Sequence, residues 1–219
     1  MTFVQLQVLV SSWLDDTNNG YFTLSEVKTW LNNAQRETQK MVIQAFEGHY
    51  RKVVQTTLVQ YQREYQLPTD FKKLSRLEVV LSGTTFQNED CQRLVKITEN
   101  QQDLMPERTG TPQTYYFKGD QVVVVPAPDA AKTLRLTYLY RAADMVNDAD
   151  LPDVPADYHE YIAVLATLDG LYKDGRDPGA MLNKKEYFEK LFKQDAEERN
   201  VDESRTIVQT QDDDYTAGY

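Results

Sequence analysis

The sequence predicts an α+β fold: N- and C-terminal helices forming a small helical bundle, an inserted antiparallel β block, and an extended acidic C-terminal tail. Three observations carry this. Apolar residues recur at helical spacing near the start of the chain and again after Pro155, while the stretch between them is rich in Val, Thr and Tyr and alternates as strands do. The blocks follow one another as helices, strands, helices, which argues against an alternating parallel βαβ sheet. Past Asn200 apolar residues become few and acids predominate. These boundaries give one domain over 1–199, with helical parts 1–48 and 155–199 and a β insertion over about 50–141, and an extended arm over 200–219.

Val4 to Leu14 reads as a short apolar helix. Leu24 to Phe46 reads as a long amphipathic one, because Leu24, Val27, Trp30, Leu31, Ala34, Met41 and Ala45 fall at helical spacing. A break follows near Gly48. Arg51 to Leu67, rich in Val, Thr and Tyr, reads as one long strand, and Pro68 restricts Leu67 to an extended conformation. Ser75 to Ser82 gives a second strand, Gly83 to Gln92 a loop, Leu94 to Thr98 a short strand, and Glu99 to Leu104 a helical turn. Thr114 to Pro126 predicts a hairpin, with Lys118-Gly119-Asp120 between two apolar-aromatic runs. Lys132 to Tyr140 alternates, placing Leu134, Leu136, Tyr138 and Tyr140 on one face. Helix returns over Asp157 to Tyr172, carrying Tyr158, Tyr161, Ile162, Leu165, Leu168 and Leu171, and stops at Asp174-Gly175. Pro178 opens a last helix whose apolar residues are Met181, Leu182, Tyr187, Phe188, Leu191 and Phe192, running to about Glu198.

A chain of 219 residues buries a substantial core. Its net charge of −10 argues against a general nucleic-acid-binding surface, which needs Lys and Arg to displace counterions from phosphate. No apolar run reaches transmembrane length, and the N-terminus lacks the basic region and cleavage site of a signal peptide. The lone Cys91 forbids an intramolecular disulfide. The segment from Asp195 to Tyr219 carries eight acids (Asp195, Glu197, Glu198, Asp202, Glu203, Asp212, Asp213, Asp214) against two bases. With so few apolar residues it gains burial from partners rather than from a core of its own.

Asp15 to Glu26 nearly fits a twelve-residue calcium loop. Asn19 stands at position 5, Gly20 at 6, Tyr21 at 7, Thr23 at 9 and Glu26 at 12, but position 3 is Thr17. Only two charged ligands remain, and no second loop of this kind is present, so the loop would hold a hard cation weakly. The simpler reading makes Asn19-Gly20 a turn and Thr23 with Glu26 a capping box. An EF-hand-like calcium-dependent module centred on 15–26 is the alternative function.

The residues of an enzyme do not assemble in the sequence. His49 and His159 have no motif around them, and the second His of a zinc-protease pattern after His159-Glu160 is Ala163. Glu89-Asp90 beside Cys91 oppose a thiolate. No Walker, dinucleotide or GxSxG pattern occurs. The reading is of a non-enzyme with no catalytic residues, cofactor or metal.

Four patterns together resemble the head-to-tail adaptor (connector) proteins of tailed bacteriophages. They are Leu14-Asp15-Asp16 with Leu24-Ser25-Glu26-Val27 and Trp30-Leu31-Asn32-Asn33-Ala34-Gln35-Arg36-Glu37; Tyr65-Gln66-Leu67-Pro68-Thr69-Asp70-Phe71; Tyr115-Tyr116-Phe117 through Val122–Pro128 with Leu134–Tyr138; and Leu151-Pro152-Asp153-Val154-Pro155-Ala156-Asp157-Tyr158 with Ile162–Ala166. Their order and spacing over 3–195 carry the resemblance.

The resemblance implies a structural virion protein, present in the host cytoplasm during assembly and at the portal vertex and neck afterwards. It implies a ring, commonly dodecameric, beneath the portal, which extends the DNA channel and docks the next tail or ring protein. Double-stranded DNA passes without specific binding, and no membrane is involved. Aromatic anchors are enriched at interfaces, so Tyr215 and Tyr219, with Ile207 and Val208, are candidate partner-interface residues. Asp212, Asp213 and Asp214 are candidate channel residues, where negative charge would discourage DNA from sticking. An adaptor of another assembly, such as a pilus or secretion ring, is a further reading.

Overall fold

A computed structural model describes residues 1–203 apart from 19, 46, 83–89 and 104–107. Helix α1 (Phe3–Trp13) opens on a capping box: the Thr2 hydroxyl accepts from the Gln5 N–H, and the Gln5 side chain accepts from the Thr2 N–H. Helix α2 (Leu24–Ala45) follows, and a 3-10 turn, Glu47–Tyr50, leads into the strands.

Among the described residues ten strands follow: β1 (Arg51–Thr57), β2 (Glu64–Gln66), β3 (Phe71–Ser82), β4 (Asp90–Arg93), β5 (Val95–Lys96), β6 (Thr109–Gly110), β7 (Thr114–Lys118), β8 (Gln121–Val125), β9 (Ala127–Pro128) and β10 (Thr133–Tyr140). A five-residue helix α3 (Glu99–Asp103) stands between β5 and β6. One sheet has the order β1-β10-β3-β4, the other β2-β8-β7-β5, and β6 pairs with β9. The long pairings are antiparallel, as expected; β5–β7 and β6–β9 are short parallel pairs. The hairpin closes through Gly119 at φ +62°, pairing Lys118 with Gln121.

The long strand expected over Arg51–Leu67 is instead two strands in different sheets. Tyr61 adopts φ +66°, and the Tyr65 hydroxyl accepts from the Val59 N–H at 2.9 Å and donates to the Gln62 carbonyl at 3.0 Å. That turn carries the chain from one sheet to the other. A second departure lies at Leu94. The expected loop ends early, because Asp90–Arg93 pairs with β3. The buried Leu94 donates to the Leu77 carbonyl at 2.9 Å in the first sheet, and Val95 donates to the Gln113 carbonyl at 2.9 Å beside the second. One extended segment thus edges both sheets in turn.

The core between the sheets includes Leu77, Val79, Leu94, Tyr115, Val122, Val124, Leu134, Leu136 and Tyr138. The unbroken Val122–Val125 run is explained by burial on both faces: Val122 and Val124 join this core, while Val123 and Val125 pack with Tyr116 and Ile97 on the other side.

The chain returns to helix through a 3-10 turn, Ala156–Tyr158, then α4 (His159–Asp174) and α5 (Gly179–Glu203). Gly175 ends α4 in the left-handed conformation, φ +70°, donating to the Leu171 and Tyr172 carbonyls. Helix α4 packs against α1, α2 and α5. Its residues Tyr161–Leu165 share a core with Phe3, Leu6 and Val10 of α1, Val27 and Leu31 of α2, and Phe188 and Phe192 of α5. Gly170 permits the closest approach: a Cβ there would sit 2.7 Å from Leu14 Cδ1 and 3.3 Å from Trp30 Cζ3. Tyr140, at the end of β10, packs against both the helical core and the intersheet core.

Candidate functional site

The segment between β10 and the 3-10 turn, residues 141–155, contains no helix or strand. Its backbone donors and acceptors need partners all the same. Helix α2 supplies them from Asn32, Gln35, Arg36 and Gln39, which share one side of the helix at i, i+3, i+4 and i+7. Asn32 donates to the Met145 carbonyl at 3.1 Å and accepts from the Met145 N–H at 2.8 Å. Gln35 donates to the Ala143 carbonyl at 2.7 Å and accepts from the Asp153 N–H at 3.1 Å. Gln39 donates to the Tyr140 carbonyl at 2.9 Å and accepts from Lys72 Nζ at 3.3 Å. Arg36 reaches both oxygens of Asp144 at 2.6 Å. Gln35 and Gln39 are fully buried.

Tyrosines close the other side of this seam. The Tyr50 hydroxyl donates to the Asp153 carbonyl at 2.6 Å, and the Tyr140 hydroxyl donates to Asp153 Oδ1 at 3.1 Å. The two rings meet edge to face at 5.5 Å. Burial, with the neighbouring Asp153 carboxylate, raises the Tyr50 hydroxyl far above its usual range and pushes Tyr140 up to about 12. Both hydroxyls therefore stay protonated donors. The arrangement fixes the helical layer to the β block; it holds no reactive group.

The residues of the suspected calcium loop form a helix-initiating turn instead. Asp16, which is not a ligand position, accepts from the Gly20, Tyr21 and Phe22 N–H groups at 2.7, 3.0 and 2.7 Å. These bonds, the Phe22 one foremost, hold its carboxyl below the usual range. Asp15 adopts φ +53°. Glu26 accepts from the Thr23 N–H at 3.0 Å through one oxygen and from Lys173 Nζ at 2.6 Å through the other. Lys173, then the Thr23 bonds, hold its carboxyl down to about 2. The twelfth ligand is thus engaged as a helix cap and an ion pair, and the calcium alternative has no support. Asn19 lies outside the described residues. Among the described residues no three His, Cys, Asp or Glu are placed to hold a metal ion.

His159 is a packed structural residue: its Nε2 meets the Val154 carbonyl at 2.9 Å, and burial lowers its pKa. Glu160 beside it pairs with Lys184 at 2.6 Å. Cys91 lies 3.3 Å from Arg135 Nη1, and burial, with Glu78 and Asp90, raises its thiol. His49 is exposed, its ring against Tyr50. No helix among the described residues is long and apolar enough to cross a membrane.

The arm residues singled out in the sequence, Ile207, Val208, Tyr215 and Tyr219 together with Asp212, Asp213 and Asp214, lie outside the described residues. Of the acids that precede them, Asp195 lies on α5 and accepts from the Tyr158 hydroxyl. Sequence reasoning, which followed only the apolar residues of α2, missed its buried amides Gln35 and Gln39.

The described residues form an α+β scaffold whose two layers are joined by a side-chain-bonded seam. The family comparison gives the particular case: a model of the SU10 adaptor protein family matches residues 1–216, and the chain belongs to that phage head-to-tail adaptor family. No curated protein matches the chain.

Proposed function

We propose that this chain is one subunit of a dodecameric ring that sits beneath the portal at one vertex of a phage capsid, extends the DNA channel and docks the tail. The observation that carries this reading is the family match over residues 1–216. The side-chain-bonded seam supports it, since a ring that transmits load between a head and a tail benefits from subunits that do not bend between their layers. In this reading the arm beyond α5 is the assembling element. Ile207, Val208, Tyr215 and Tyr219 meet partners, and Asp212, Asp213 and Asp214 turn toward passing double-stranded DNA and repel it.

The test is co-expression with the portal protein of the same phage, followed by imaging of the purified complex. A ring of this chain on the portal is the expected result. A chain that neither assembles nor binds the portal overturns the reading. Truncation after Asn200 should impair assembly while leaving the far-UV spectrum essentially unchanged; loss of folding would show that the arm packs on its own core.

A further inference from the structure

β1 and β2 are consecutive in the chain, yet among the described residues each is the edge of a different sheet, with β10 and β8 as their sole strand partners. Between them lies an open cleft of about 560 Å³. Its walls include Val54, Tyr65, Val122, Leu134, Leu136 and Tyr138, so its floor is the intersheet core itself. The turn at residues 58–63 joins β1 to β2 at one end, and the Lys52–Asp70 ion pair at 2.7 Å stands near the other. Apart from half-buried Val54, every residue of β1 is exposed. A free strand edge beside an apolar slot is the geometry that strand addition uses: main-chain bonds supply affinity and the slot selects side chains.

We propose that this cleft takes the segment Arg205–Gln211 of the arm of a second copy, added as a strand antiparallel to β1. Three features of the sequence fit. The segment, Arg-Thr-Ile-Val-Gln-Thr-Gln, has no Gly or Pro and matches the seven residues of β1. Its alternate residues Thr206, Val208 and Thr210 are all β-branched, forming a compact row for the slot, while Arg205, Ile207, Gln209 and Gln211 fall on the outer row. The antiparallel direction brings Asp212–Asp214 beside Arg51 and Lys52, a basic pair at the start of β1; the parallel direction would carry them away from it. Because arm and cleft are different parts of one chain, their contact between copies is heterologous, the kind that makes a ring where the rotation from copy to copy closes. The assignment to a second copy rests on the ring reading; recognition of the segment by the cleft does not.

The experiment uses the full chain with Cys91→Ser and Val53→Cys, the latter exposed on the outward row of β1 and opposite Gln209 in this pairing. The probe is a synthetic peptide of residues 204–219 carrying Gln209→Cys. Disulfide trapping of the peptide is expected. It should fall about tenfold when the peptide also carries Val208→Pro, which removes a ladder donor, and a smaller fall is expected for chain Arg51→Glu. Trapping that ignores Val208→Pro, equal trapping at the exposed control Val146→Cys, or no trapping overturns the proposal. On the portal complex, mixed copies carrying Val53→Cys or Gln209→Cys should cross-link to each other. A ring whose copies do not cross-link sinks this inference and leaves the ring standing. Peptide trapping without any ring sinks the ring and with it the second-copy assignment.

Discussion

The helical layer and the β block bury apolar side chains to different ends. Around α4 the helices enclose their core: His159 and Tyr161–Leu168 are buried in succession, and Gly170 is bare so that Leu14 and Trp30 can close over it. The β block has a core as apolar, but one seam of it, between β1 and β2, opens to solvent. The enclosed core fixes positions; the open one offers a surface that a further strand can complete. Tyr140 belongs to both, so the two are not independent bodies.

Breaking the enclosed core should cost most. Tyr161→Ala removes a fully buried ring and should lower unfolding free energy by about 3–5 kcal/mol in chemical denaturation, as large-to-small core changes do. Gly170→Ala should cost about 1–3 kcal/mol by overpacking, and Leu14→Ala in the same chain should recover part of it, since Leu14 is the atom group in the way. Gln35→Ala leaves the Ala143 carbonyl and the Asp153 N–H without their partner and should cost about 1–3 kcal/mol, with faster amide exchange at Asp153 than in the parent. Val54→Ala, at the open seam, should cost about 1 kcal/mol or less, because the side chain is only half-buried. A loss there as large as at Tyr161 would show the cleft to be closed in solution, and would remove the contrast.

The smallest effect is one of pH. The folded pKa of His159 lies below its unfolded value, so the unfolded chain takes up the proton first as the solution acidifies. The stability it contributes is intact above the unfolded value of about 6.5 and declines as pH falls below it. A melting temperature that falls on acidification from pH 7, with a shallower fall in His159→Gln, is the expected result. Glu26, held to about 2, adds a second decline below its ordinary value of 4.5, because the unfolded chain takes up that proton before the folded one does. Glu26→Gln should flatten that lower part of the profile.

Much of this was legible in the sequence, and the gaps have physical causes. Gly119 and Gly175 announce a hairpin and a helix end because each supplies the positive φ that side chains disfavour. The break within Arg51–Leu67 carries no such sign: a tyrosine takes the positive φ, and a second tyrosine hydroxyl satisfies the turn. Strand β4, Asp-Cys-Gln-Arg, has no strand-like composition and forms because β3 offers it an edge. The helix stripe read from Leu24, Val27, Trp30, Leu31, Ala34, Met41 and Ala45 held at Val27, Leu31 and Ala34, whereas Leu24 is exposed. Buried Gln35, Thr38 and Gln39 were not foreseen, because amides on a helix normally meet water. The quoted Trp30–Glu37 stretch pointed to the right family, yet only the coordinates show what Asn32, Gln35 and Arg36 do.

The amide rungs of α2 bind main-chain atoms of the segment they hold, not its side chains. Heredity should therefore treat the two sides of the seam unequally. An exposed position such as Ala143 contributes a carbonyl that almost any amino acid would supply, whereas Met145 also buries its side chain in the helical core. Gln35 has no such substitute, since a shorter, charged or apolar side chain loses one bond or both. Divergence among descendants should accumulate in the segment and spare the helix, leaving a constant clasp around a drifting strap.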